Sequence, residues 1–148
     1  MAHHLRRQIR DAFVDALVGL PTTSARVFAQ RAYELQESEL PALKIETYFE
    51  SVAASQMGFP RLYERRLRLR VIAIARVATD LDDALDQICK EVEMALAMPV
   101  ATLAGLVKDV VLLGTDIAVA ADSQPVGQAA LTYEVFYMAA ANAPDVAL

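Results

Sequence analysis

The chain is 148 residues long, with 55% apolar and 22% charged residues and a net charge of -5. That length suits a single domain, 1–148, able to bury roughly 68–70% of its unfolded surface without staples. The composition excludes intrinsic disorder, and the acidic balance speaks against a nucleic-acid binder. The longest charge-free run, Met94–Val107, has 14 residues and is interrupted by Pro99. It is too short for a bilayer span, and no apolar signal core follows Met1, so no membrane association is expected. Cys89 is the only cysteine, which forbids an intrachain disulfide and suits a reducing, cytoplasmic setting.

Leu5, Ile9, Phe13, Leu17 and Leu20 recur at helical spacing and predict an amphipathic helix that Gly19 and Pro21 stop. Arg26–Phe28 follows as a short strand. After the turn at Ser38–Pro41, residues 42–49 alternate: Leu43, Ile45, Thr47 and Phe49 against Lys44, Glu46, Tyr48 and Glu50, a half-buried strand. Ser51–Leu62 loses periodicity and contains Gly58 and Pro60, so it reads as a long loop. The next strand, Tyr63–Ala78, carries Leu67, Leu69, Val71, Ala73, Ala75 and Val77 on one face. Arg66, Arg68 and Arg70, then Ile72 and Ile74, take the other.

Thr79-Asp80-Leu81-Asp82 resembles a capping box opening a second helix, with the stripe Leu81, Leu85, Ile88, Val92 and Leu96, ended by Pro99, after which Val100–Gly105 is expected to add a short helical turn. Val107–Ala121 reads as a strand with Val111, Leu113, Ile117 and Val119 on one face. Val126–Met138 reads as its antiparallel partner across the turn Asp122–Pro125, with Ala129, Leu131, Tyr133, Val135 and Tyr137 inward. Residues 139–148 read as a flexible or partner-ordered tail. The order α-β-β-β-α-β-β predicts an α+β fold: a mainly antiparallel sheet of four to five strands with two main helices packed on one face.

Little in the chain carries chemistry. The only histidines, His3 and His4, are adjacent at the terminus, where they make a poor metal pair on a helix and read as a frayed end. Cys89 has no histidine near it in sequence and reads as a buried structural cysteine. Asp80, Asp82, Asp83 and Asp86 suit a helix N-terminus better than a cation loop, and no phosphate-cradling glycine motif occurs. No enzyme activity, metal or cofactor is expected. The feature that stands out is basic: five of the eleven arginines, Arg61, Arg65, Arg66, Arg68 and Arg70, fall within ten residues. Three share one strand face, where like charges repel unless water, acids or a partner compensate. A charged, aggregation-resistant edge strand, a contact to acids on another subunit, and a patch facing a polyanion all fit.

Taken together, Ile9–Leu20, Thr22–Tyr33, Glu39–Leu43, Asp80–Asp86 and Leu131–Val135, in this order and at these distances, resemble the tail terminator (minor tail protein U-like) family of long-tailed phages and prophages. The resemblance spans nearly the whole chain and rests on structural rather than catalytic motifs. It implies a homo-oligomeric, hexameric ring on the head-proximal end of the tail tube, assembled in the host cytoplasm. Such a ring stops tube polymerisation, binds the tail tube protein and a head–tail connector or neck protein, and lets genomic DNA pass through its lumen without sequence-specific binding. On that implication Arg61, Arg65, Arg66, Arg68 and Arg70 become candidate subunit-interface or lumen residues. A head–tail connector or stopper is the alternative within the same class. Outside it, the alternative is a small-molecule-binding α+β domain or a minor enzyme.

Overall fold

The computed structural model describes residues 2–29, 35–77, 79–120 and 126–148. Its elements are α1 (Leu5–Leu17), β1 (Val27–Phe28), a 3-10 turn (Glu37–Glu39), β2 (Ala42–Ala54), β3 (Leu62–Arg76), α2 (Leu81–Ala95), the single-turn α3 (Pro99–Thr102), β4 (Asp109–Ala120) and β5 (Val126–Ala140). The fold is α+β, in the expected element order, and α3 overlaps the short helical turn expected at Val100–Gly105 but begins at Pro99. One five-stranded sheet runs β1-β2-β3-β5-β4. Every neighbouring pair is antiparallel except β1–β2. The sheet is therefore mixed, because residues 29–41 are long enough to carry the chain back for a parallel pairing that a tight hairpin cannot make.

The apolar stripes do what their spacing predicts. Leu5, Ile9, Phe13 and Leu17 of α1 and Leu81, Leu85, Ile88 and Val92 of α2 are buried, as is Leu96 just beyond α2. They pack in one cluster with Leu67 to Ala75 of β3 and Ala129 to Tyr137 of β5, so both helices cover the same sheet face. Gly127 on β5 lets α2 seat closely: a Cβ there would lie 2.9 Å from methyls of both Leu81 and Leu85. Gly19, at φ +91°, turns the chain after α1, a conformation glycine adopts without a Cβ clash. Cys89 is buried as expected. Desolvation first, then Glu93 and Asp86, pushes its thiol up to about 11 and keeps it protonated.

Two bulges break the alternation read from the sequence. In β2 the register shifts between Thr47 and Phe49, so Tyr48 is the extra residue, Phe49 turns away from the helices and Glu50 turns in. In β4 the shift falls between Leu112 and Gly114. Val111 then shares the uncovered face with Glu134, while Ile117 and Val119 lie on the helix side opposite Ala129 and Gly127. The four apolar residues expected on one face of β4 are thus divided between two, and all four are exposed. A bulge inserts one residue without leaving a trace in hydrophobic periodicity.

Element boundaries shift where periodicity is silent. Residues 51–54, expected in a loop, continue β2 and pair with residues 63–66, leaving 55–61 as the connection. Both faces of this arm are solvated, so no alternation marks it. Asp80 rather than Thr79 takes the N-cap position of α2, at φ 57° and with no side-chain cap bond. α2 ends at Ala95, and Pro99 instead occupies the first turn of α3, where a missing N–H costs nothing. The β4–β5 pairing is antiparallel as expected; the turn assigned to Asp122–Pro125 lies outside the described residues.

Both termini are held by their own chain. Residues 139 and 140 belong to β5, and Ala139 is buried. Beyond them, Ala141 N–H donates to Arg61 C=O, Leu148 N–H to Met138 C=O and Leu5 N–H to Pro144 C=O. Residues 139–148 are thus docked on β5 and α1 and do not form the loose tail the composition suggested. His4 is likewise no frayed residue: its Nδ1 accepts from Arg6 N–H at 3.1 Å and caps α1.

Candidate assembly surface

Among the described residues the helices cover one face of the sheet and leave the other open. Arg66, Arg68 and Arg70 stand on the open face, as period-2 spacing requires, and the chain's own acids meet them. Arg66 Nη1 lies 3.3 Å and Arg68 Nε 3.1 Å from the two carboxylate oxygens of Glu134 on β5. Arg70 Nη2 is 4.0 Å from Glu46 on β2. Aromatic rings support two of them: Arg66 lies over Phe136 at 4.7 Å and Arg70 over Tyr48 at 4.2 Å. The self-repulsion that such a row suggests is thereby reduced within one subunit, since the three guanidiniums face two carboxylates on the adjoining strands.

Arg61 and Arg65 do not join that row. Arg61 sits at the base of the β2–β3 connection, 4.5 Å over the Phe59 ring, and donates to the carbonyls of Gln56 and Met57. Arg65 points to the helix side, where only 11% of its side chain is exposed, and its Nη1 lies 3.0 Å from Glu50. Glu50 is the hub of a buried polar cluster. It also accepts from Arg6 Nη1 at 3.0 Å, and Tyr137 OH donates to its other oxygen. Desolvation, then the hydrogen bond and charge of Glu50, raises the Tyr137 hydroxyl well above its ordinary value, so it stays a donor. Nearby, burial and then Arg6 and Arg65 lower the His4 ring, which keeps Nδ1 free to accept. The sequence reading missed this cluster because Glu50 sits on the solvated side of an unbulged strand.

A second buried acid closes the opposite end of the core. Glu91 of α2 accepts from Thr22 N–H (2.9 Å), Thr22 Oγ1 (2.7 Å) and Gln87 Nε2 (2.9 Å), tying the loop after α1 to α2. A cleft of about 780 Å³ runs between α1 and β1, lined by Arg7, Arg10, Asp11, Asp15 and Val27 among others. Among the described residues no helix is long and apolar enough to cross a membrane.

Exposed apolar side chains gather at the margins of the sheet. Tyr48, Phe49 and Val52 line the outer side of β2, and Met57 and Phe59 crown its connection to β3. Val111, Leu113, Ile117 and Val119 line β4. Single exposed apolar residues mean little, but a row along a strand edge marks a surface that another chain can cover.

No protein-family model matches the chain, and no curated protein matches it. Among solved structures it is similar to a chain of the "Virion of native gene transfer agent (GTA) particle", at a TM-score of 0.41 and 16% identity, over 92% of this chain and 92% of that one. A likeness at that score and identity indicates no function.

Proposed function

We propose that this chain is a structural virion subunit, a tail terminator whose copies form a ring at the head-proximal end of a phage-like tail tube. The observation that carries the structural part of this reading is a sheet that, among the described residues, is covered by helices on one face only. The arginines of its open face are ion-paired with the chain's own acids, and exposed apolar side chains line both margins. Such a surface serves contact between proteins better than chemistry on a small molecule. The terminator role comes from the ordered resemblance of Ile9–Leu20, Thr22–Tyr33, Glu39–Leu43, Asp80–Asp86 and Leu131–Val135 to that family. With it come the tail tube protein and a neck protein as partners, the virion as location, and no catalytic activity. A globule of this length has a diameter of about 38 Å, so six in contact surround a hole of similar width, enough for a DNA duplex.

Negative-stain electron microscopy of the purified protein, with light scattering over a concentration series, tests the ring. Closed particles with a DNA-sized hole are expected. Adding the protein to polymerising tail tube protein should yield short tubes capped at one end. A protein that stays monomeric at all concentrations and leaves tube length unchanged would sink the reading. Uniform binding to heads but not to tubes would instead make it a connector or stopper.

A further inference from the structure

The two margins of the sheet are complementary in position, and this suggests what covers them. β4 is a margin along its whole length, since the strand order ends there. At the other side β1 pairs only with Leu43 and Lys44, so among the described residues β2 from Tyr48 to Ala54 is a margin too. Soluble proteins blunt such edges with lysine, proline or inward charges. Neither stretch contains a lysine, arginine or proline; the charges they carry are Glu50 in β2, which is turned inward and is answered there by Arg65, and Asp109 and Asp116 in β4. Phe49 is 57% exposed on one margin, and Val111 46% and Ile117 55% on the other.

The ladders place these residues level with one another. Phe49 pairs with Arg68, Arg68 with Glu134 and Glu134 with Val111, a single row across the open face with an apolar side chain at each end and an ion pair in the middle. One row away, Glu46, Arg70, Thr132 and Gly114 line up, so the margin facing Glu46 has no side chain to clash with it. On the other side, Ser51, Arg66, Phe136 and Asp109 align, placing a carboxylate of β4 level with a small polar residue of β2 and with an arginine on the next strand in. Both bulges fall beside the same row, that of Leu69 and Tyr133. The kinks of the two margins are therefore at one height as well.

We propose that β4 of one copy adds to the outer margin of β2 of the next copy, antiparallel and level, so that Val111 meets Phe49 and the five-stranded sheet continues from subunit to subunit. β2 and β4 run in opposite directions within the sheet, so a copy carried sideways meets its neighbour antiparallel. The contact joins two different surfaces and is head-to-tail. Such a contact closes into a ring when the rotation per copy allows and otherwise runs on as a filament, and the twist of the sheet supplies a rotation. The interface deepens the ring reading, on which it rests for taking the partner to be a second copy.

Paired cysteines test it. In a Cys89→Ala background, Phe49→Cys and Val111→Cys are introduced together and separately in the full chain, oxidised mildly and run on non-reducing gels. Antiparallel neighbours have Cα atoms about 4.5–5.5 Å apart, within disulfide reach. The double variant should give a ladder of covalent multimers, whereas each single variant stops at dimers. Val111→Lys in the unmodified chain should move the light-scattering mass from oligomer to monomer with the circular dichroism spectrum unchanged. Rings by microscopy without a ladder, and with Val111→Lys still assembled, would overturn the edge pairing and leave the ring reading standing. A ladder whose particles are open filaments would support the pairing and overturn the ring. A monomer throughout with no ladder would overturn both. Cross-linking of Val111→Cys only to a different virion protein would overturn the pairing in favour of a foreign strand.

Discussion

Arg65 and Arg66 are neighbours on β3, and each reaches a glutamate on an adjoining strand, at 3.0 Å for Glu50 and 3.3 Å for Glu134. Strand alternation sends them to opposite faces, and there the similarity ends. The Arg65–Glu50 pair lies beneath α1 with Tyr137 and Arg6, whereas the Arg66–Glu134 pair lies on the open face, where 53% of the Arg66 side chain meets solvent. Charges in a desolvated site must be answered by partners because water cannot answer them. Charges on an open face are answered by water whether or not a partner is present. Contact geometry alone therefore does not rank the two pairs; burial does.

The largest effect should come from breaking the buried pair. Glu50→Ala leaves Arg65 without its acid and Tyr137 without its acceptor, and should destabilise the fold by roughly 3–5 kcal/mol, the range for removing one member of a buried ion pair. Urea unfolding at neutral pH reads this as a lower midpoint. A loss below that of the open-face variant would mean that the site is wetter than its geometry indicates.

Glu91 sharpens the same contrast through pH. Burial by itself would raise its carboxyl, but the hydrogen bonds from the Thr22 hydroxyl and amide and from Gln87 outweigh it, and the net value lies below the ordinary 4.5. A carboxyl lowered on folding stabilises the protein at pH values above its unfolded value and loses that contribution as pH falls through the folded one. Glu91→Ala should thus cost about 1–3 kcal/mol at neutral pH, the price of orphaning buried donors. The gap between variant and wild type should narrow below about pH 4.5. Denaturant midpoints over a pH series check both parts; a gap independent of pH would assign the loss to packing instead.

The smallest effect belongs to the open face. Glu134→Ala removes the partner of both Arg66 and Arg68, yet should change monomer stability by under about 1 kcal/mol, because exposed pairs gain little over solvation. Raising the salt should shrink even that difference. A large loss in Glu134→Ala would show that the arginine row depends on its glutamate and that solvent does not screen it.

Much of this architecture was legible in local pattern. The spacing of Leu5, Ile9, Phe13 and Leu17, and of Leu81, Leu85, Ile88 and Val92, marks the faces of α1 and α2. The alternation through Leu67–Ala75 and Ala129–Tyr137 marks the inner faces of β3 and β5, the two strands paired on both sides along nearly their whole length. The same alternation puts Arg66, Arg68 and Arg70 on one side of β3. These are helical and strand periodicities, set by backbone geometry within a few residues.

What the tertiary structure decided lies where a strand's behaviour depends on something distant. The bulges at Tyr48 and Leu113 are settled by register across the ladder, and each reverses the faces of the residues around it: Glu50 goes into the core, and Val111 goes out to meet the row of Phe49. The arm at residues 51–54 is strand because β3 pairs with it, although solvent on both faces removes any periodicity of its own. The parallel seat of β1 depends on β2, which joins it after a crossover connection, and the docking of residues 139–148 depends on Arg61 and Leu5, far away in sequence. Local sequence carries the preference of each segment for helix or strand. Which face a residue finally presents is fixed by cross-strand pairing and by what lies above it, and neither exists until the chain has folded.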